Sequence, residues 1–520
     1  MQFNNIPEML AINAARWPSH PAVRFTGDEP VNYKDQLALA EAIAAMLVAE
    51  GIKKGDRVAI LSHNMPQWSQ AYFGISATGA VAVPLMPDFK AHEVEQILQH
   101  SGSRIVFVSR QLEPNVPSHL KRFILEELGE TAFSASQAFH IGDVEITPDD
   151  LASLIYTSGT TGDPKGVMLT HGNILFTVDK SSLIQPINPE DRFLSVLPLS
   201  HIYEFSLGLM LPVMFGAGIT YLRKPPTAPV LLPALLEVKP TIMLTVPLLI
   251  EKVYWKSVFP KLNSSLVTAT LHRIPLTRKL LHRIAAKKVY QTFGGCLKFY
   301  GIGGSKLDPR VELFLRDGKF PYAIGYGLTE TSPLLAGGSP GKFAYQSTGP
   351  AMDEVELRLH EVNPESGFGE IQARGRNVMQ GYYLNPEQTA EVFEEGGWFK
   401  TGDLGYFDKK GHLHIKGRIK STIIGPNGKN IFPEEIENVI NSLKFVKESL
   451  VTESNGRLVG LIHLDYEAIE QHFQQIRDEA ATAIRDKVNQ VLNDIQLQVN
   501  SHVNKYSRLQ AVLEQPTPFE

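Results

Sequence analysis

Along the first part of the chain, apolar residues alternate between two spacings. Gln36–Glu50 (QLALAEAIAAMLVAE) carries Ala and Leu at helical spacing and stops at Gly51. Arg57–Leu61 (RVAIL) is a short continuous apolar run, the mark of a strand buried on both faces. Trp68–Thr78 predicts a helix ended by Gly79, Val81–Leu85 a strand, Glu93–His100 a helix and Arg104–Val108 a further strand. Helix and strand alternating through short loops predict a parallel sheet covered by helices.

The pattern resumes after residue 150. Ala152–Thr157 predicts a strand that runs into a loop rich in Gly and Thr, Phe193–Leu197, Ile219–Leu222 and Thr241–Thr245 predict more strands, and Leu297–Gly301 ends in another glycine turn. From about Gly349 the segments become shorter and alternate between apolar and polar. Glu354–Leu359, Gly369–Ala373 and a hairpin around Lys409–Gly411 therefore predict antiparallel strands. Pro433–Leu443 has Ile436, Val439, Ile440 and Leu443 on one helical face. Leu450–Thr452 and Leu458–Leu464 flank an Asn455-Gly456 turn, and Tyr466–Leu497 is helical in pattern. The expected fold class is α/β. A large N-terminal domain of helix-covered sheets with a β-rich subdomain spans residues 1–419, and a small mobile α+β domain spans 420–520.

Phe205–Leu222 has no charged residue over 18 residues, which reaches the length of a membrane span. Gly208, Pro212, Gly216 and Gly218 within it favour a buried helix followed by a core strand. The N-terminus lacks the basic head and apolar run of a secretory signal. Of 520 residues, 50 are Lys or Arg and 55 are Asp or Glu, so no chain-wide basic footprint for nucleic acid exists. The single cysteine, Cys296, excludes a disulfide framework and a cysteine metal cage, and points to a cytoplasmic setting.

The strongest local signal is Tyr156–Gly166, YTSGTTGDPKG. Its glycines let backbone approach an anion, its hydroxyls and N–H groups can wrap phosphate oxygens, and Lys165 adds positive charge. It is not a Walker A loop, because Gly162 is followed by Asp163-Pro164-Lys165-Gly166 instead of Gly-Lys-Ser/Thr.

This loop resembles the signature of the adenylate-forming superfamily, which includes acyl-CoA synthetases, firefly luciferase and peptide-synthetase adenylation domains. Tyr326-Gly327-Leu328-Thr329-Glu330 resembles its aromatic-Gly-x-Thr-Glu motif, Thr401-Gly402-Asp403 its Thr-Gly-Asp motif and Gly417-Arg418-Ile419-Lys420 its interdomain hinge. The resemblance runs in order over nearly the whole chain. It implies two steps: a carboxylate attacks the α-phosphate of ATP, then a thiol displaces AMP. It also implies residue roles. Thr157, Ser158, Gly159, Thr160, Thr161, Gly162 and Lys165 would hold the β- and γ-phosphates. Thr157 and Glu330 would position Mg²⁺. Thr329 would touch the α-phosphate, Tyr326 would stack on adenine, Gly327 would belong to the ATP/AMP-binding set, and Gly303, Gly304 and Ser305 would line the nucleotide site. Asp403 and Arg418 would hold the ribose, and Lys420 would be the hinge. His201, in LPLSHIYE, would stand where acyl group, phosphate and thiol meet. It is not expected to act as general base, because a carboxylate nucleophile needs no deprotonation.

LPLSHIYE and Val246–Lys252 resemble long-chain fatty acyl-CoA synthetases, with Phe205–Leu222 and Gly325–Tyr326 bordering the acyl site. Alternatives are a medium-chain or aryl acyl-CoA ligase and a ligase that loads a carrier protein. The family usually carries a lysine near its end, and here the chain closes at Gln515–Glu520 with Lys505 outside any such motif. That suggests truncation before the lysine, and adds an acyl- or nucleotide-binding protein without full turnover as a reading of another class. Fatty acid, ATP, Mg²⁺ and CoA are the expected ligands. No nucleic-acid partner is expected, and peripheral membrane contact and a homodimer stay open.

Overall fold

A computed structural model describes residues 3–519, except 134–137, 158–163, 425–429, 442, 455, 467–468, 470–480 and 504. Arg57–Leu61 pairs in parallel with Val81–Leu85 on one side and Ile105–Val108 on the other. These runs are buried almost throughout, as continuous apolar sequence requires of strands covered on both faces. They belong to a seven-stranded sheet that continues through Leu151–Thr157. There the sheet turns antiparallel, because Lys165–Thr170 folds back on Leu151–Thr157. Lys165, read from sequence as part of the loop, is the first residue of a strand and sits opposite Thr157. The loop between them falls within 158–163, outside the described residues.

A second sheet has eight strands. Its centre is parallel and built from Gly218–Tyr221, Arg192–Ser195, Ile242–Thr245, Phe299–Ile302 and Tyr322–Gly327. The sequence pattern predicted no strand before Arg57, yet Pro21–Phe25 joins this sheet in parallel with Gly218–Tyr221. Helices lie between the two sheets. Leu10, Ile43, Trp68 and Ile174 share one apolar core with Ile60 and Ile155 of the first sheet and Phe193 and Ile219 of the second. Local chemistry starts these helices where the sequence needs them. Before His171–Ile184, Thr170 Oγ1 accepts the Asn173 N–H at 3.0 Å, and Asn173 Oδ1 accepts the Thr170 N–H at 2.9 Å.

Phe205–Leu222 folds as the glycines and proline suggest. A π-helical turn, Glu204–Met210, leads into helix Leu211–Met214 and then strand Gly218–Tyr221. No helix among the described residues is long and apolar enough to cross a membrane. Beyond residue 350, Glu356–His360, Gly369–Arg374, Trp398–Phe407 and Leu413–Arg418 form an antiparallel sheet. Burial alternates along Trp398–Phe407, matching the period-two pattern. Helix Pro433–Asn441, strands Val446–Ser454, Arg457–Leu464 and Ala511–Glu514, and helix Ala481–His502 close the chain. Among the described residues their core, including Ile436, Ile440, Ile462 and Leu492, draws on none before Ile423.

Parallel strands all point one way, so the loops after them gather at one edge. Segments 197–203, 303–304 and 327–331 leave the carboxyl ends of Arg192–Ser195, Phe299–Ile302 and Tyr322–Gly327. The last of these makes a tight turn in which Pro333 C=O accepts the Leu328 N–H at 3.0 Å. A Cβ on Gly327 would lie 1.7 Å from that carbonyl oxygen, so no side chain fits there. Gly327→Ala should lower stability by about 1–3 kcal/mol through overpacking. Gly129→Ala, in the helix Leu128–Phe133 where an added Cβ meets nothing within 4 Å, should not lower stability and should raise it by up to about 1 kcal/mol. Denaturant midpoints compare the two, and equal midpoints would show that the turn has room.

Candidate active site

A cavity of about 970 Å³ opens at this edge. Thr157 and Lys165 reach it from the strand pair, His201 and Tyr203 from the segment after Arg192–Ser195, and Gly303 and Gly304 from the turn after Phe299–Ile302. Tyr326, Gly327, Thr329 and Glu330 form another wall, and Arg418 and Lys420 close it from the antiparallel sheet and the segment beyond. Of the residues picked from sequence, Ser158, Gly159, Thr160, Thr161 and Gly162 lie outside the described residues. Ser305 is exposed beyond Gly304 and is not part of the cavity wall.

Asp403 lies just beneath the surface of the cavity, 4% exposed. Strand register sets Arg418 directly across from it, and Arg418 Nε approaches Asp403 Oδ1 at 2.9 Å. The Tyr326 hydroxyl donates to Asp403 Oδ2 at 2.6 Å. Burial raises the Asp403 pKa to about 6 against the lowering pull of Arg418, with Glu434 and Glu330 adding to the rise. Sequence reading gave both Asp403 oxygens to a ribose. Here each already has a protein partner, and the remaining lone pairs are what an additional donor could use.

Glu330 has an orienting partner that the motifs did not reveal. The Tyr382 hydroxyl donates to Glu330 Oε1 at 2.9 Å. Tyr382 stands on the short strand Gly381–Tyr382, paired with Val167 next to Lys165, and the Lys165 ammonium lies 5.7 Å from the Tyr382 ring centre. Burial, with Glu330 nearby, holds the Tyr382 phenol protonated well above its ordinary value. Nothing in the spacing of Gln380–Tyr383 marks this role. The second Glu330 oxygen and the Thr157 hydroxyl fit a hard oxygen-seeking cation such as Mg²⁺. No group of three or more His, Cys, Asp or Glu gathers among the described residues, so such an ion would draw most of its ligands from bound phosphate and water.

His201 is accessible through the cavity, while packed protein on its other sides pushes its pKa below the ordinary histidine value. The Tyr203 N–H donates to His201 Nδ1 at 3.2 Å. An amide can only donate, so the neutral ring carries its proton on Nε2 as a hydrogen-bond donor. The Tyr203 ring needs the bare glycines beside it. A Cβ at Gly301 would stand 2.9 Å from its hydroxyl, and one at Gly303 would stand 3.2 Å from the ring. Tyr203, Gly325 and Leu334 also border a narrow apolar pocket of about 50 Å³, lined further by Leu207, Leu211 and Ile184. Leu207 and Leu211, both within Phe205–Leu222, are among its walls. Glu204 faces away into the core, 1% exposed, and burial pushes its pKa up to about 8.

The profile of a known family, AMP-binding enzyme, matches residues 10–383. A peroxisomal long chain acyl-CoA synthetase of Arabidopsis thaliana is 30% identical over 479 residues, which cover 82% of this chain and 68% of that protein. A 2-succinylbenzoate–CoA ligase of Oceanobacillus iheyensis is 28% identical over 466 residues, 88% of each chain. An O-succinylbenzoate coenzyme A synthetase of Bacillus subtilis, solved with ATP and magnesium ion, superposes with a TM-score of 0.74 at 24% identity. That match covers 98% of this chain and 95% of the other, and it establishes the fold.

The Asp403 environment carries a pH signature. Its folded pKa of about 6 exceeds the ordinary 3.8. The group therefore stabilises the ligand-free protein below about pH 4, and that contribution is lost as pH rises through about 6. Asp403→Asn does not titrate. Its stability relative to the parent should climb by up to about 3 kcal/mol between about pH 4 and 7, read from denaturant titrations. A flat or falling difference would mean that the Arg418 pairing outweighs burial.

Proposed function

The chain belongs to the AMP-binding enzyme family of acyl-CoA ligases, and from that premise we propose that its substrate is a long-chain fatty acid, activated by ATP and passed to coenzyme A. A carboxylate oxygen attacks the α-phosphorus and the bond to pyrophosphate breaks, giving acyl-AMP. The CoA sulfur then attacks the acyl carbon, AMP leaves with the bonding pair, and the thiol proton is released. A carboxylate is a poor acyl electrophile because it must expel oxide, whereas AMP is a good leaving group.

One observation carries this reading. The polyanion-facing groups Lys165, Thr329 and Glu330 share a cavity with the His201 ring, and Tyr203, Gly325 and Leu334 join that cavity to an apolar pocket. Negative charge accumulates in both steps, so catalysis rests on fixed positive charge and N–H donors. In this reading Thr157 and Lys165 hold the β- and γ-phosphates and Thr329 the α-phosphate. The His201 Nε2–H donates to the acyl carboxylate or the α-phosphate, orienting them without taking a proton. Gly303 and Gly304 pass beside the nucleotide, Tyr326 meets adenine, and Asp403 with Arg418 meets the ribose. Mg²⁺, when bound through Thr157 and Glu330, supplies charge neutralisation at the polyphosphate, and Tyr382 fixes the Glu330 carboxylate that receives it. Residues from Lys420 onward form a small domain that turns between the two steps about that residue. A relative solved with ATP and magnesium ion supports this ligand set.

The kinship with a long chain acyl-CoA synthetase favours a fatty acid. An aryl acid is the second reading, favoured by the even coverage of the 2-succinylbenzoate–CoA ligase. A pyrophosphate-release screen over short, medium and long fatty acids and an aromatic acid, with and without CoA, separates them. Release should be greatest with long chains, with thioester formed only when CoA is present. Preference for the aromatic acid would install the second reading, and the absence of acid-dependent release would end both.

Lys165→Ala and Glu330→Ala should each slow acyl-AMP formation by roughly 10²–10³ at subsaturating ATP while the fold stays intact. Wild-type rates in both would contradict their placement at the polyphosphate. Lys420→Pro fixes φ and removes an N–H. It should slow thioester formation from supplied acyl-AMP more than it slows acyl-AMP formation. Equal losses in a folded variant would deny Lys420 a hinge role.

A further inference from the structure

Between Lys252 and Leu307 the sequence has eleven Lys or Arg and no Asp or Glu, in a chain whose net charge is −5. This run builds helices Leu266–Arg273 and Pro275–Thr292. The longer helix turns His282, Ala286 and Val289 inward. Its outer face carries Leu276, Lys279, Leu280, Arg283, Ile284 and Lys287, three or four residues apart, so they form one stripe along the axis. Leu276 is 80% exposed, Leu280 58% and Ile284 52%. The shorter helix adds Leu266 at 89% and Val267 at 68%. Single exposed leucines need no explanation, but a recurring stripe of them does. The cations between them have no acidic partner either, for Lys279, Arg283 and Lys287 make no ion pair among the described residues.

We propose that the face made by helices Leu266–Arg273 and Pro275–Thr292 docks on the surface of an anionic phospholipid bilayer. Charge complementarity selects that occupant. A basic stripe in an otherwise acidic chain is drawn to an anionic surface, while the acidic remainder is held off it. The interleaved aliphatic side chains exclude a purely ionic partner. Against nucleic-acid phosphates, Leu276, Leu280 and Ile284 would have no apolar counterpart. At a bilayer they enter the acyl boundary, and the long stems of Lys279, Arg283 and Lys287 keep their charges among the headgroups. The surface stands apart from the cavity, and the inference does not depend on the substrate.

Flotation of the full chain with vesicles tests it. The protein should float with vesicles of phosphatidylcholine and phosphatidylglycerol and stay behind with phosphatidylcholine alone. Lys279→Gln, Arg283→Gln and Lys287→Gln together should weaken partitioning about a hundredfold, from roughly fivefold per charge near an anionic surface. Leu276→Ser, Leu280→Ser and Ile284→Ser together should weaken it as well, which a purely ionic contact would not do. Lys409→Glu with Lys410→Glu, on an exposed turn of the antiparallel sheet, should leave it unchanged. Should a triple variant fail to fold, Leu276→Ser alone gives the same direction at smaller size. Three results would overturn the proposal: no binding to the anionic vesicles, binding that both helix variants leave intact, or capture by heparin or duplex DNA without vesicle binding, which would assign the face to a soluble polyanion.

Discussion

Balancing charge within one cavity is the constraint on which the rest of the structure depends. Glu330, Glu370, Glu391 and Glu434 line it, with Asp403 just beneath, and Lys165, Lys400, Arg418 and Lys420 face them. Carboxylates this close disfavour one another's ionisation, as the raised Asp403 shows with Glu434 and Glu330 among its causes. Two tyrosine hydroxyls, from Tyr326 and Tyr382, each fix one carboxylate without adding charge. Arg418 is nevertheless committed to Asp403, so Lys165 is the cation kept available for an incoming polyanion. Lys165 has no carboxylate partner within ion-pair distance among the described residues and lies instead near the Tyr382 ring.

Strand register is what makes this balance reproducible. Antiparallel pairing puts Thr157 opposite Lys165 and Asp403 opposite Arg418, so two functional pairs follow from backbone hydrogen bonding alone. The parallel sheet does the complementary work by delivering three loops to one edge. That sheet is completed by Pro21–Phe25 from the start of the chain. Residues after 190 therefore do not complete this sheet without the strands Pro21–Phe25 and Val31–Asn32.

Much of this was legible in the sequence. Continuous apolar runs located the buried strands within one or two residues, and ordered motifs identified the residues that meet in the cavity. Some elements that escaped take their stability from distant partners, and others, such as Tyr322–Gly327, have glycines in place of a continuous apolar run. Pro21–Phe25 is five residues long and takes its place from Gly218–Tyr221, nearly two hundred residues away. Lys165–Thr170 was hidden because Pro164 and the Gly-rich loop before it read as irregular chain. Tyr382 and Tyr203 carry no spacing signal, since a tyrosine that orients a glutamate and one that fits between bare glycines look alike in sequence. Ser305 shows the opposite failure, because adjacency to Gly304 did not bring it to the cavity wall.

The central claim is that this cavity joins a carboxylate to the α-phosphate of ATP. Isotope exchange tests that single step without CoA and without a committed product. With palmitate and MgATP present, labelled pyrophosphate should enter ATP, because acyl-AMP forms reversibly, and omitting the acid should abolish the exchange. Exchange that ignores the acid, or none with any carboxylic acid although ATP binds, would contradict the account.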